Sequence, residues 1–276
     1  FETKLLSCKG CENNCQISKY TFKNGGVYYS GNKCEKIFNN GKADEKPGID
    51  MSARKYHELF DRAEQPSKLV NPLFKMGIPR ALNMYEEFPF WHTFFTECNI
   101  EVVLSSTSTY KNYEKGVHSV MSDNICFPAK LVHSHIYELQ NMGVDRIFFP
   151  RVVYEKEEDG SVANSFNCPI IIGYPDVINS AVDSEIPIDS PVVSFKDDEL
   201  LKKQLFKYME TLGVSKSVVK KAHDKALKEY YNFGMNLRKI NEEAFEQSQK
   251  EGRMAIVLAG RPYHTDPLIQ HKVSEM

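Results

Sequence analysis

From about Phe74 the chain alternates short apolar runs with helical stretches of about three turns, and this alternation restricts the fold more than any other feature. The runs Phe74–Ile78, Glu101–Leu104, Arg146–Phe149 and Ile170–Gly173 read as strands. Between them, Tyr85–Glu97 and Pro128–Met142 read as helices, with Pro128 suited to the first helical position and Gly143 to the C-terminal end. Strands this short and apolar, separated by helices, build βαβ units and a parallel sheet covered on both faces. The fold class is therefore α/β, with a Rossmann- or flavodoxin-like parallel sheet over residues 70–195. The aromatic stretch Phe88–Phe95 reads as the core of its helix, and Cys98, which closes that helix, as a packing residue.

The flanks differ. Residues 1–45 hold Cys8, Cys11, Cys15 and Cys34 and a predicted hairpin, in which Tyr20-Thr21-Phe22 and Val27-Tyr28-Tyr29 are joined by Asn24-Gly25-Gly26. So small a segment has too little apolar area for a core of its own and needs a staple. A short helix is expected over 52–63, with Ser52 as N-cap and Pro66 beyond its end. Residues 196–252 read as a charged helical bridge, broken at Gly213 and restarted at Ser215. Met254–Leu258, followed by Gly260-Arg261-Pro262, reads as a buried strand opening a second α/β unit over 253–276. The chain begins at Phe1 without a Met and ends soon after that run, which reads as a piece excised from a longer protein.

At 276 residues there is room for one large domain or two modest ones. Lys+Arg 35 against Asp+Glu 37 gives a net charge of -2, which argues against a nucleic-acid partner, a zinc-ribbon binder included. No apolar run reaches the roughly 20 residues of a membrane helix, and no signal peptide opens the chain, so a cytoplasmic protein without a membrane partner is expected.

Seven cysteines in such a chain point to metal rather than disulfides. Cys8-x2-Cys11-x3-Cys15 with Cys34 after the hairpin offers four thiolates to zinc or to a [4Fe–4S] cluster, and the spacing does not choose between them. Cys126 stands just ahead of a helix opened by Pro128. A sulfur there faces the positive end of the helix dipole, which suits a ligating thiolate, although a small buried residue fits as well. Cys168 follows a polar loop and could share that rim. If Ile170-Ile171-Ile172 is a parallel strand, however, Cys168 lies at the opposite, amino end. Arg80 follows the first strand, where its guanidinium could hold a CoA phosphate or a carboxylate, or simply face solvent. Lys130 and His133 lie in the turns after Cys126 and could tune a site there, whereas His133 and His135 also read as surface or core histidines. Arg261 and His264 could line a cleft between the two units.

Several phrases taken together resemble one family. They are Gly77-Ile78-Pro79-Arg80-Ala81-Leu82-Asn83-Met84-Tyr85, Pro89-Phe90-Trp91, Cys126-Phe127-Pro128-Ala129-Lys130 with His133, Asn167-Cys168-Pro169, and Gly260-Arg261-Pro262-Tyr263-His264 with Asp266-Pro267. They resemble the non-ATPase region of the acyl-CoA dehydratase activase-related family, also called CoA-substrate-specific enzyme activases, and the early cysteines belong to the same resemblance. It covers nearly the whole chain. A more distant similarity is to 2-hydroxyacyl-CoA dehydratase subunits and double-cubane reductases, which hold an iron–sulfur cluster on three cysteines of Rossmann-like domains.

The resemblance implies an anaerobic, ATP-coupled electron-transfer reductase or dehydratase/activase-like protein, with the ATPase portion of the same or a partner protein as partner. An acyl-CoA or other small molecule would be the substrate. Cys126 and Cys168 would be two of three cluster ligands, the third lying beyond Met276, and Arg80 and Lys130 would be cofactor-binding. The competing expectation is a non-catalytic, metal-stapled module that docks the ATPase portion.

Overall fold

In a computed structural model, which describes residues 1–33, 36–40, 48–65, 69–157, 164–271 and 273–275, the chain folds as an α/β protein. Its first three strands, β1 (Glu2–Ser7), β2 (Gln16–Thr21) and β3 (Val27–Ser30), form an antiparallel meander. The expected hairpin is β2–β3, with Tyr20 opposite Tyr28 and the turn glycine Gly25 at φ +83°. The partner β1 was not anticipated, because Thr3-Lys4-Leu5-Leu6 lacks a clean period of two. The meander is largely exposed; Ile17 and Cys8 are its buried apolar side chains.

Helix α1 (Met51–Glu64) is capped by Asp50 instead of Ser52. The Asp50 carboxylate accepts the N–H groups of Ser52 (2.9 Å) and Ala53 (3.0 Å), two donors the first turn leaves unpaired.

The parallel sheet follows: β4 (Lys75–Ile78), α2 (Met84–Glu97), β5 (Glu101–Leu104), α3 (Tyr110–Gly116), α4 (Phe127–Gln140), β6 (Arg146–Phe148), β7 (Arg151–Val152), α5 (Pro169–Ala181), β8 (Ile188–Asp189) and β9 (Val192–Val193). Strands run in the order β5-β4-β6-β8, all parallel, and β7 pairs with β9 in the same sense. Pro150 and Pro191 separate β6 from β7 and β8 from β9, as expected of residues without a ladder N–H.

The expected strand Ile170–Gly173 is instead the first turn of α5. An apolar run of three isoleucines does not distinguish a strand from a buried helix, and Pro169 at the first helical position marks the helix. The fourth sheet strand is the short β8, hidden in sequence between Pro187 and Pro191.

Helices α6 (Asp198–Thr211) and α7 (Lys216–Lys250) complete the chain, separated by Gly213 at φ +76°. Helix α2 is the centre of the core. Its Phe88, Phe90, Trp91, Phe94 and Phe95 are fully buried, and Trp91 and Phe95 meet Phe148 of β6 at 4.6 and 4.9 Å between ring centroids. On its other face lies α7, through Val219, Ala222, His223 and Ala226. Each fully buried phenylalanine or valine among these contributes roughly 1.5–3 kcal/mol by leaving water. Cys98 is buried in the same core, and burial, then Glu97, pushes its thiol up to about 12.

The run Met254–Leu258, expected as a buried strand, pairs with no strand among the described residues. Met254 is 86% exposed and Val257 88%. Its composition is that of a sheet interior, but no strand among the described residues lies alongside to receive it.

Candidate functional site

Strand β4 runs to β5 on one side, and the chain then crosses to β6 on the other, so the sheet has its switch point between β4 and β6. In open parallel sheets the crevice outside the carboxyl ends of such strands is where ligands bind. Helices α2, α4 and α5 each connect parallel strands, so their N-termini lie at that same rim.

Cys126 is the N-cap residue of α4, with Pro128 in its first turn, and Cys168 is the N-cap residue of α5, followed by Pro169. The sequence left Cys168 between two rims; because Ile170–Ile172 is helical, it stands at the carboxyl rim, as Cys126 does. Cys126 is exposed and Cys168 half-buried. Burial first, then Cys126 and, more weakly, Cys168 raise the pKa of Tyr263, so both sulfurs lie within electrostatic reach of its hydroxyl. Tyr174 of α5 also feels Cys126; burial and then that cysteine push its hydroxyl up to about 12.

The Tyr174 hydroxyl meets Nε2 of buried His133 at 2.9 Å, and His133 Nδ1 meets the Ser119 hydroxyl at 2.7 Å. Ser119 donates its proton to the Gly116 carbonyl (2.9 Å), so Nδ1 carries the imidazole proton and Nε2 accepts from Tyr174. Burial, then His118, lowers His133 to about 4, so it is neutral at physiological pH. Gly116 makes the close approach possible, since a Cβ there would lie 2.5 Å from the Ser134 nitrogen of α4.

A second chain of groups runs beneath the rim. Arg80, only 5% exposed, donates its backbone N–H to Ser105 Oγ (2.8 Å) and its Nε–H to the Ser105 carbonyl (3.0 Å). Its Nη1 reaches the Tyr56 hydroxyl and Thr107, and the guanidinium stacks 4.7 Å from the Phe60 ring centroid. Ser105 Oγ meets His135 Nδ1 at 2.9 Å, and His135 Nε2 meets Ser108 Oγ at 3.1 Å. Ser108 in turn donates to Asp266, which also receives the Tyr85 hydroxyl at 2.5 Å. With a carboxylate at one end and a backbone N–H at the other, the protons are ordered, and His135 carries its own on Nε2. Burial and then Arg80 lower His135 to about 3. Arg80 and Asp266 are thus opposite charges joined through neutral groups, and the Arg80 guanidinium is engaged inside the protein.

Beside these lies a pair of acids. Glu87 of α2 is fully buried, and its oxygens accept from Asn83 Nδ2 (3.0 Å) and Trp91 Nε1 (2.9 Å). The same Asn83 nitrogen donates to Glu155, which also accepts from Asn167 Nδ2 at 2.6 Å. Burial, then Glu155, raises Glu87 well above the usual carboxylate range, and burial chiefly raises Glu155 to about 7. Leu82, which precedes Asn83, is held at φ +49°, a conformation unusual for a branched side chain, within a shallow crevice that includes Asn83, Phe149, Pro150 and Ile171.

Of the remaining sequence candidates, Lys130 Nζ donates to the Asp123 carbonyl (2.8 Å), steadying the loop before Cys126. Arg261 and His264 are exposed and close a single turn on each other through the Arg261 N–H and His264 Nδ1. Cys8, Cys11 and Cys15 share the β1–β2 connection, where the Cys8 N–H donates to the Cys15 carbonyl at 2.8 Å. Cys34 lies outside the described residues. Among the described residues no three His, Cys, Asp or Glu side chains are gathered as a metal site.

Sequence reasoning passed over Glu87, Glu155, Ser105, Ser108, Tyr174 and Asp266 as site residues. Glu87 had a visible signal: a carboxylate in an aromatic helix, with Asn83 four residues before it and Trp91 four after.

A family model described as the CoA enzyme activase uncharacterised domain (DUF2229) matches residues 75–276. No match is found among curated proteins or among solved structures.

Proposed function

Because the chain belongs to the family of the CoA enzyme activase uncharacterised domain, we propose that its sheet rim is an electron-transfer site of an ATP-coupled, dehydratase/activase-like protein. In this reading Cys126 and Cys168 are thiolate ligands of an iron–sulfur cluster. The observation that carries it is their equivalence: each caps a crossover helix at the same rim, each helix has a proline in its first turn, and the Tyr263 hydroxyl feels both sulfurs electrostatically. The donor set fits such a group, because sulfurs at helix N-termini sit in positive potential and ligate as thiolates. A cluster held there would store and pass single electrons.

The chain's own residues supply the surroundings. Tyr174, kept protonated and hydrogen-bonded to His133, walls the Cys126 side without adding charge. Lys130 anchors the preceding loop and adds a cation beside Cys126. Arg80, through Ser105, His135 and Ser108, braces the floor; its role is positioning rather than binding a CoA phosphate. The partner is the ATPase portion of the same or another protein, and the substrate class is acyl-CoA. Cys8, Cys11 and Cys15, with Cys34, are proposed as a separate zinc or [4Fe–4S] staple, since the meander buries too little to hold itself. That exposed meander also favours a second reading, in which the stapled segment docks the ATPase portion.

Anaerobic purification and reconstitution with iron and sulfide, followed by iron, sulfide and zinc analysis, tests both sites. The expected result is a cluster lost from Cys126→Ser and from Cys168→Ser while Cys8→Ser removes only the staple metal. Iron content unchanged in both rim variants, or zinc alone, overturns the electron-transfer reading.

A further inference from the structure

Glu87 and Glu155 belong to no role described so far, and they share one hydrogen-bond donor, the Asn83 amide. Its nitrogen donates to an oxygen of each, so the two carboxyl groups meet at a single amide donor. Two buried carboxylates that crowd one amide donor repel each other, and a proton on one of them relieves that repulsion. No cation among the described residues pairs with either acid. The donors around them are neutral, namely the Asn83 and Asn167 amides and the Trp91 indole, and the further charge felt by both, Glu86, is also acidic. Three neutral donors and no counter-ion balance one negative charge far better than two.

We propose that Glu87 and Glu155 share a single proton and form an acid–base centre at the carboxyl rim. Glu87 is its buried end and half-buried Glu155 its outlet, so a proton taken from or returned to water passes through Glu155. The exchange balances simply: the pair moves from charge -1 to -2 on releasing the proton to water or to a basic group at the rim, and back on taking one up. Asn167 holds Glu155 and immediately precedes Cys168, so the centre is tied by one peptide bond to the proposed thiolate rim. The inference does not rest on a cluster being bound there.

Infrared spectra of the chain carrying isotope-labelled glutamate, recorded from about pH 5 to about pH 9, test it without any metal. The expected result is a carboxylic-acid band that persists at about pH 7, where isolated glutamates are ionised. In both Glu87→Gln and Glu155→Gln the remaining acid should hold its proton about tenfold less tightly, because the like charge beside it is gone. Wild-type spectra with every glutamate ionised at about pH 7 would overturn the proposal. So would a band whose midpoint is the same in the wild type and both variants, which marks isolated buried acids rather than a shared proton.

Discussion

The Tyr85 hydroxyl donates to the Asp266 carboxylate at 2.5 Å, joining α2 to a segment 181 residues further along the chain. Asp266 is 1% exposed, and its other oxygen accepts the N–H groups of Leu268 and Ile269, so it organises its own turn while it anchors that turn to the sheet rim. The turn carries Tyr263, whose hydroxyl feels both rim cysteines electrostatically.

Replacing Asp266→Asn keeps the turn's acceptor but sets an amide against the Tyr85 and Ser108 hydroxyls. A loss of about 1–3 kcal/mol in unfolding free energy is expected, read by urea denaturation. Tyr85→Phe removes one of the two donors and should cost less, about 1 kcal/mol. Equal stability of Asp266→Asn and wild type would show that the carboxylate is dispensable.

Stability should depend on pH through the buried titrating groups, with opposite signs. Glu155 binds its proton more tightly folded than unfolded, so its contribution is full below about pH 4.5 and is lost as pH rises towards about 7. Glu155→Gln should flatten that decline in a series of urea midpoints. His133 and His135 are held neutral, at about 4 and about 3, so their contribution is present above about pH 6.5 and lost as pH falls below it. A wild-type profile flat between about pH 4.5 and 7, unaltered by Glu155→Gln, would mean that Glu155 gains no proton affinity on folding.

Gly116→Ala forces a methyl group into the backbone of α4 at His133 and Ser134, with atoms at 2.5 to 2.8 Å. Overpacking of this kind costs roughly 1–3 kcal/mol, and here it should also loosen the Tyr174–His133–Ser119 chain. Thermal melting measures the first effect; the NMR shift of the His133 ring protons reports the second. A variant with unchanged melting would show that α3 moves away freely.

Much of the sheet was legible because its strands follow strong local rules. Glu101–Leu104 has the bounds read from sequence, and β4 and β6 differ from their predicted runs only by a terminal phenylalanine, Phe74 or Phe149. The failures share a cause. Ile170–Ile172 and Met254–Leu258 are apolar runs too short for periodicity to decide their structure, and tertiary surroundings made one a helix and left the other unpaired. The rim cysteines stood out by residue type, whereas the acid pair depends on Glu155 and Asn167 arriving from a different loop, a meeting no local pattern records.

The unpaired run has a consequence of its own. Met254-Ala255-Ile256-Val257-Leu258-Ala259 is uncharged, free of proline and rich in branched side chains, and it lies open along the surface. Segments of that composition stack edge to edge into cross-β fibrils. Concentrated solutions should therefore turn turbid with time, and a single Val257→Lys gatekeeper should delay the onset in a light-scattering assay while leaving the melting temperature unchanged.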